Sequence, residues 1–357
     1  MKTHRFIFFG LLLSILGLFA IGMFQPNWLP KSITSVVTQK KEDIENSTST
    51  SILPTINLKP FQELTIPYLR NKTYDSQLGE LQQVVDNATY TSYLTSYTSD
   101  GLKINGLLTE PKGEEPVGGW PAIVFVHGYI PPTQYRTRER YVEYVNALAR
   151  NGFVVFKIDL RGHGDSEGEA TGAYYSSDYI VDVLNAYSAL QKSQFVNSQK
   201  IGLWGHSMAG NVVMRSWAAK PTIPAVVIWA GAGYTYEDLQ KFRLNDSSYR
   251  PPAQNEERQR KRQQLFDTYG QFQPDSNFWK EVAPTNYLND LKGAIQLHHA
   301  VDDTVVSIEY SRELNGLLNN TAIPHQLYEY PSGGHNISGS SFSIAMQRTI
   351  QFFKDRL

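Results

Sequence analysis

Residues 200–219 read KIGLWGHSMAGNVVMRSWAA, an apolar strand-like run that turns at once into a helix-like pattern. The corner between them is Gly205-His206-Ser207-Met208-Ala209-Gly210. A serine on a sharp strand-to-helix turn projects its hydroxyl into open space. Such a hydroxyl is a weak nucleophile and needs a base that takes its proton as it attacks a carbonyl. Two later positions answer that need. Asp302 follows the apolar run AIQLHHAV, and His335 lies in YPSGGHN just past HQLYEYP. The order is Ser, Asp, His, each beyond a predicted strand. Taken one at a time, each has a plainer reading: Ser207 as a helix cap, Asp302 in a DDT turn where Asp303 competes with it, and His335 as a loop residue. Taken together, in order and each past a predicted strand, they point to nucleophile, orienting acid and base.

An imidazole near neutrality accepts the serine proton and later returns it to the leaving group. A carboxylate on its second nitrogen fixes the tautomer and stabilises the imidazolium. Charge then builds on the carbonyl oxygen, where preorganised backbone N–H groups must meet it. The amide of Met208, at the start of the helix, and that of Tyr129, directly after VFVHG, are the expected donors. The other histidines offer less. His298 and His299 are adjacent on a strand, so they point to opposite faces and do not share a metal. His206 is read as a packing residue and His163, in RGHGDSEG, as a structural loop residue. No metal or nucleotide motif stands out, so no cofactor is expected.

The elements that must position these groups follow from alternation. From Tyr90 the stretch YTSYLTSYTSDGLKINGLLTEP places strand formers around Ser99-Asp100-Gly101, a hairpin signal. Short apolar runs then alternate with amphipathic stretches: AIVFVHG, FVVFKIDLRGHG, KIGLWGHS, AVVIWAGA, AIQLHHA and HQLYEYP. Buried strands between helices imply an α/β fold with a mostly parallel sheet covered on both faces. The hairpin would supply antiparallel edge strands, and ligands would bind beyond the carboxyl ends of the parallel ones. Residues 233–283 interrupt the rhythm with a polar, aromatic-spotted insertion. It is expected to fold as a helical cap over Ser207, with Tyr234, Tyr236, Phe242, Phe266, Tyr269 and Phe272 lining a pocket and Arg258 to Arg262 facing solvent. The alternative is that these aromatics only fasten the insertion to its neighbours.

The chain has 357 residues, 41% hydrophobic and 19% charged, with a formal net charge of −1. That balance suits a large core and gives no field that would attract nucleic acid. Cysteine is absent, which removes disulfides, thiolate metal sites and a cysteine nucleophile together. Residues 6–24 carry no charge and follow Lys2 and Arg5, the pattern of a single signal-anchor helix with the N-terminus in the cytoplasm and the remainder outside it. Cleavage as a secretory signal is the alternative. Residues 25–58 read as a polar linker and residues 59–357 as the catalytic domain. Oligomeric state has no signature here.

From about Tyr90 onward the chain resembles the α/β-hydrolase superfamily, and within it the catalytic domain of the prolyl oligopeptidase family. The resemblance rests on HGY at 127–129, DLRGHGDSEG at 159–168, GHSMAG at 205–210, FWKEVAPTNYL at 278–288, HHAVDDTVV at 298–306 and YPSGGH at 330–335. It assigns the acid to Asp302 rather than Asp303. Ala209 stands where the family usually has glycine, Ala283 where it often has serine, and His299 where it often has glycine. The region before the sheet is too short for the family's propeller. The resemblance implies a serine peptidase that cleaves short peptides or amides through an acyl-enzyme. A carboxylesterase on small esters uses the same machinery, and a non-catalytic binding protein on this scaffold is the reading from another class.

Overall fold

The computed structural model describes residues 59–242, 244–245 and 256–357. The expected anchor at 6–24 and the linker at 25–58 lie outside the described residues. Among the described residues, no helix is long and apolar enough to cross a membrane.

One sheet organises what is described. Its strands are β1 (Gln82–Asp86), β2 (Tyr90–Ser99), β3 (Leu102–Pro111), β4 (Trp120–Val126), β5 (Val154–Ile158), β6 (Val196–His206), β7 (Ala225–Trp229), β8 (Ala294–Ala300) and β9 (His325–Tyr330). They lie in the order β1-β2-β3-β5-β4-β6-β7-β8-β9. The first three are antiparallel, β3 meets β5 antiparallel, and all later pairings are parallel. The β2–β3 turn is the one the sequence announced. Ser99 pairs with Leu102, leaving Asp100 and Gly101 as a two-residue loop with φ of 49° and 81°. Both central residues at positive φ match the twist of the flanking strands.

The helices are α1 (Ile66–Asn71), α2 (Val142–Ala149), α3 (Asp178–Gln191), α4 (Ala209–Ala219), α5 (Asp238–Lys241), α6 (Glu256–Tyr269), α7 (Asn277–Val282), α8 (Glu309–Leu318) and α9 (Ser340–Arg356). They cover both faces of the sheet, because side chains alternate along each strand. In β4, Ala122, Val124 and Val126 join the core built with α3, α4 and α8, while Ile123 and Phe125 join the core built with α2 and α9. Strands buried on both sides therefore read as continuous apolar runs, which is why their positions were visible in the sequence.

The insertion at 233–283 contains α5, α6 and α7. Tyr236, Leu265, Phe278, Trp279 and Val282 form a small third core with Leu64. Tyr269 stacks on Phe278 at 3.8 Å, and its hydroxyl donates to Pro60 O at 2.8 Å. Phe242 packs edge-on against Tyr310 of α8. Tyr234 and Tyr236 are only 1% and 2% exposed. The aromatics expected to line a pocket are thus engaged in packing, and the exposed Arg260 and Arg262 match the expected solvent face.

The two adjacent histidines of β8 separate as the strand period requires. His298 enters the core against Trp229 and Tyr330; its Nε2 donates to Gln296 Oε1 at 2.7 Å and its Nδ1 accepts from Tyr330 Oη at 2.8 Å. Burial, helped by the charge of Arg348, pushes its imidazole down to about 3. A group lowered on folding contributes stability that is present above its unfolded pKa of ~6.5 and is lost as pH falls toward the folded value. His298→Gln should therefore flatten the dependence of unfolding free energy on pH by about 1.4 kcal/mol per pH unit between pH 6 and 4. Urea titrations at several pH values measure this, and equal slopes for wild type and variant would refute it.

Candidate active site

The corner after β6 is a forced one. Ser207 has φ 57°, a left-handed conformation rare outside glycine and costing about 1–3 kcal/mol for such a residue. Its N–H donates to Trp229 O of β7 at 2.9 Å, and its carbonyl accepts from Gly210 N at 2.8 Å. Those two bonds hold the backbone while α4 begins. Gly205 allows the close turn: a Cβ there would meet Ala209 O at 2.9 Å and Val213 Cγ1 at 3.0 Å.

His335 lies in a short 3-10 turn (Gly334–Asn336) after β9 and brings Nε2 to 2.8 Å from Ser207 Oγ. Its Nδ1 is 2.8 Å from Asp303 Oδ2. Hydroxyl, imidazole and carboxylate thus stand in hydrogen-bond series. Ser207 and His335 are partly exposed, and the Asp303 side chain is fully buried.

The expectation for the acid needs correction. Asp303, not Asp302, faces the ring of His335. The sequence HHAVDDTVV doubles each marker residue, so two registers one residue apart both fit the pattern. Backbone geometry selects the later one. His299 points toward α8, where its Nδ1 meets Ser311 Oγ at 2.7 Å and its Nε2 lies 3.0 Å from Val306 O and 3.2 Å from Asp303 Oδ2. Since Val306 O can only accept, Nε2 carries the proton and reaches the carboxylate as well. The turn then folds Asp303 back, so that its Oδ1 accepts from Val305 N at 2.8 Å and Val306 N at 3.0 Å. Burial opposes ionisation of Asp303, but the hydrogen bonds from His299 and His335 outweigh it and hold the carboxyl well below the usual range.

Asp302 has a different task. It is exposed and accepts from the backbone of Gly333 at 3.2 Å and Gly334 at 2.8 Å, which steadies the loop that presents His335. Neighbouring aspartates therefore act on one histidine, the first through the backbone of the two glycines before it and the second through its ring.

The expected oxyanion donors lie on segments that flank Ser207. Met208 follows it at the N-terminal end of α4, where helix amides and dipole favour negative charge. Tyr129 follows Gly128, and a Cβ on Gly128 would lie 3.1 Å from Ser207 Cβ and 3.0 Å from His206 O. Only glycine lets this loop come so close. The loop is secured from β5. Asp159 accepts from Tyr135 Oη at 2.8 Å and from Thr137 Oγ1, while buried Lys157 donates to Thr137 O and, at 2.8 Å, to Arg140 O. Burial pushes Asp159 up to about 6 and Lys157 down to about 8. Sequence reasoning missed both supports. Their signal was a lysine and an aspartate inside the apolar run FVVFKIDL.

The chain matches known families over this part of its length. A family model described as serine aminopeptidase S33 covers residues 121–246, and one described as BAAT/acyl-CoA thioester hydrolase C-terminal covers 184–354. The uncharacterized peptidase YtmA of Bacillus subtilis (strain 168) is 24% identical over 74% of this chain and 93% of its own. Acetyl xylan esterase from Paenibacillus sp. R4 superposes with a TM-score of 0.56 at 18% identity, over 82% of this chain and 92% of its own. The chain has the α/β-hydrolase fold. At its elbow a serine, histidine and aspartate stand in series, the arrangement of a serine hydrolase. The acylaminoacyl peptidase of Pyrococcus horikoshii also superposes, with a TM-score of 0.58 at 18% identity over 75% of this chain, which spans 42% of that protein.

The two aspartates of this α/β-hydrolase separate by substitution. Asp303→Asn should lower kcat for an activated ester about 10³–10⁴-fold through the wrong imidazole tautomer. Asp302→Asn, which keeps an acceptor for the loop amides, should lower it less than about tenfold. Steady-state rates on folded protein, checked by circular dichroism, rank them. The opposite ranking would return the orienting role to Asp302.

Proposed function

We propose that this chain is a serine hydrolase that works through an acyl-enzyme, with Ser207 as nucleophile, His335 as general base and acid, and Asp303 as the orienting carboxylate. The observation that carries this reading is the series Ser207 Oγ–His335 Nε2 and His335 Nδ1–Asp303 Oδ2, both at 2.8 Å, placed at a strained elbow.

In the proposed cycle His335 removes the Ser207 proton as Oγ attacks the substrate carbonyl. The imidazolium that forms is stabilised by Asp303, whose own ionisation is secured by His299 and the Val305 and Val306 amides. The carbonyl oxygen, now an oxyanion, is met by the N–H groups of Met208 and Tyr129. Losing one such donor costs about 2.7–4 kcal/mol of barrier. His335 then protonates the leaving group, and water repeats the sequence to release the acid and restore the serine.

For the substrate we favour short peptides or amides, in the manner of the prolyl oligopeptidase family. Support comes from the serine aminopeptidase match and from the peptidase-named relative, whose length this chain nearly spans. The acetyl xylan esterase likeness supports a second reading, hydrolysis of small esters, because it extends over most of both chains. We further read residues 6–24 as a single membrane anchor that leaves the catalytic domain outside the cytoplasm, a reading supported by their uncharged run behind Lys2 and Arg5.

A fluorophosphonate probe should label wild type and leave Ser207→Ala unlabelled, with hydrolysis lost in parallel. Labelling of the variant to the same extent would remove Ser207 from its role. A panel of peptide amides and p-nitrophenyl esters then ranks the two substrate readings by kcat/KM, amide turnover being the expected mark of the first. For the anchor, full-length protein should resist alkaline carbonate extraction from membranes, and its appearance in the soluble fraction would overturn that reading.

A further inference from the structure

His206 stands beside the nucleophile yet takes no part in the proton relay. It is buried, and both ring nitrogens are engaged: Nε2 lies 2.9 Å from His335 O and Nδ1 lies 2.8 Å from Tyr141 Oη. The tautomer follows from the partners. A carbonyl oxygen can only accept, so Nε2 carries the proton, and Nδ1 must accept from the Tyr141 hydroxyl. The tyrosine oxygen then accepts from Gly128 N–H at 3.0 Å. The result is a one-directional chain: Gly128 N–H to Tyr141 O–H to His206, and His206 N–H to His335 O. It runs from the loop that carries Tyr129 to the backbone of the base.

Three other observations show that this chain is held in place. Tyr141 adopts φ 58° at the N-terminus of α2 and makes no side-chain cap, a conformation that persists only where the surroundings enforce it. Its ring packs edge-on against the stacked pair Phe125 and Trp204, with centroids 5.4 and 5.9 Å away. Arg140, the residue before it, is fastened to β5 by Lys157. Burial, helped by the nearby His335, pushes His206 down to about 3, so the neutral tautomer required by the chain is the one present near neutral pH.

We propose that Tyr141 and His206 are a positioning pair that locks the oxyanion-side loop at Gly128-Tyr129 to the base His335, so that donor and base keep one geometry through the reaction. The pair makes no hydrogen bond to the reacting atoms; it acts through Gly128 and the backbone of His335, and the His206 ring also packs against the His335 ring with centroids 4.7 Å apart. The inference rests on the proposed roles of Ser207, His335 and Tyr129.

The test compares Tyr141→Phe, which keeps the ring and removes the hydroxyl, with His206→Leu, His206→Gln and the double variant Tyr141→Phe/His206→Leu. Active sites are counted with a fluorophosphonate, and kcat for p-nitrophenyl butyrate is expressed per titrated site. Each of Tyr141→Phe and His206→Leu should lower kcat per site about 10–100-fold with KM changed less than about threefold. The double variant should fall no further than the worse single one, since the two act as one chain. His206→Gln, which keeps an amide N–H for His335 O, should recover part of the loss. A pair that only supported folding would change the melting temperature or the number of titratable sites and leave kcat per site within about threefold of wild type. That result, or losses that multiply in the double variant, would overturn the proposal. Should Tyr141→Phe fail to fold, the two His206 variants decide alone. Ser207→Ala runs alongside: activity surviving there would sink the nucleophile assignment, whereas its loss with unaffected positioning variants would sink only the pair.

Discussion

The backbone at Ser207 is the constraint to which the rest of the site is fitted. A left-handed serine between a strand and a helix is unfavourable in isolation, and it survives because β7 and α4 each hold one side of its peptide. The same requirement explains the small residues around it. Gly205 admits the returning helix and Gly128 admits the neighbouring loop, and in both places a single extra carbon would strike main-chain atoms at or below 3.0 Å. The hydroxyl is therefore aimed by main-chain geometry before any side chain acts on it.

Around that fixed point the polar groups are arranged so that almost every proton has one allowed position. Asp303 has four donors directed at its two oxygens, His299 has its tautomer set by Val306 O, and His206 has its tautomer set by His335 O. Buried networks of this kind are costly when half satisfied and rigid when complete. Two histidines thus frame His335, His299 through the shared carboxylate and His206 through the main chain and a ring contact, and in the proposed mechanism neither need change its charge.

Much of this was legible from residue order, and the parts that were not share a cause. The strands were visible because burial on both faces leaves continuous apolar runs, and the hairpin because Asp100-Gly101 admits positive φ at two successive residues. Ser207 and His335 were visible because each follows a strand. The acid was misplaced by one residue because HH, DD and VV doublets make the local pattern agree with itself when slipped by one. Which copy faces inward is decided by the turn after Ala300 and by α8, both contributed by tertiary structure. His206 was read as packing, which describes its burial but not its bonds, since its partners at 141 and 335 are remote in sequence. The insertion's aromatics gave no sign that they would be occupied by Leu64 and Pro60, which come from the other end of the described chain.

The distance along the chain between Ser207 and its base has a consequence for synthesis. The imidazole comes 128 residues after the hydroxyl it bonds, and it is positioned by β9 pairing with β8. During translation the elbow can form as soon as β6, β7 and α4 are assembled, but the serine meets no imidazole until β9 docks and the loop behind it is capped by Asp302. A nascent or truncated chain that stops before that point would expose a folded elbow without reactivity. Under the proposed mechanism, this layout would delay acyl transfer until nearly the whole sheet is in place, and topology alone would keep an unfinished polypeptide from premature hydrolysis.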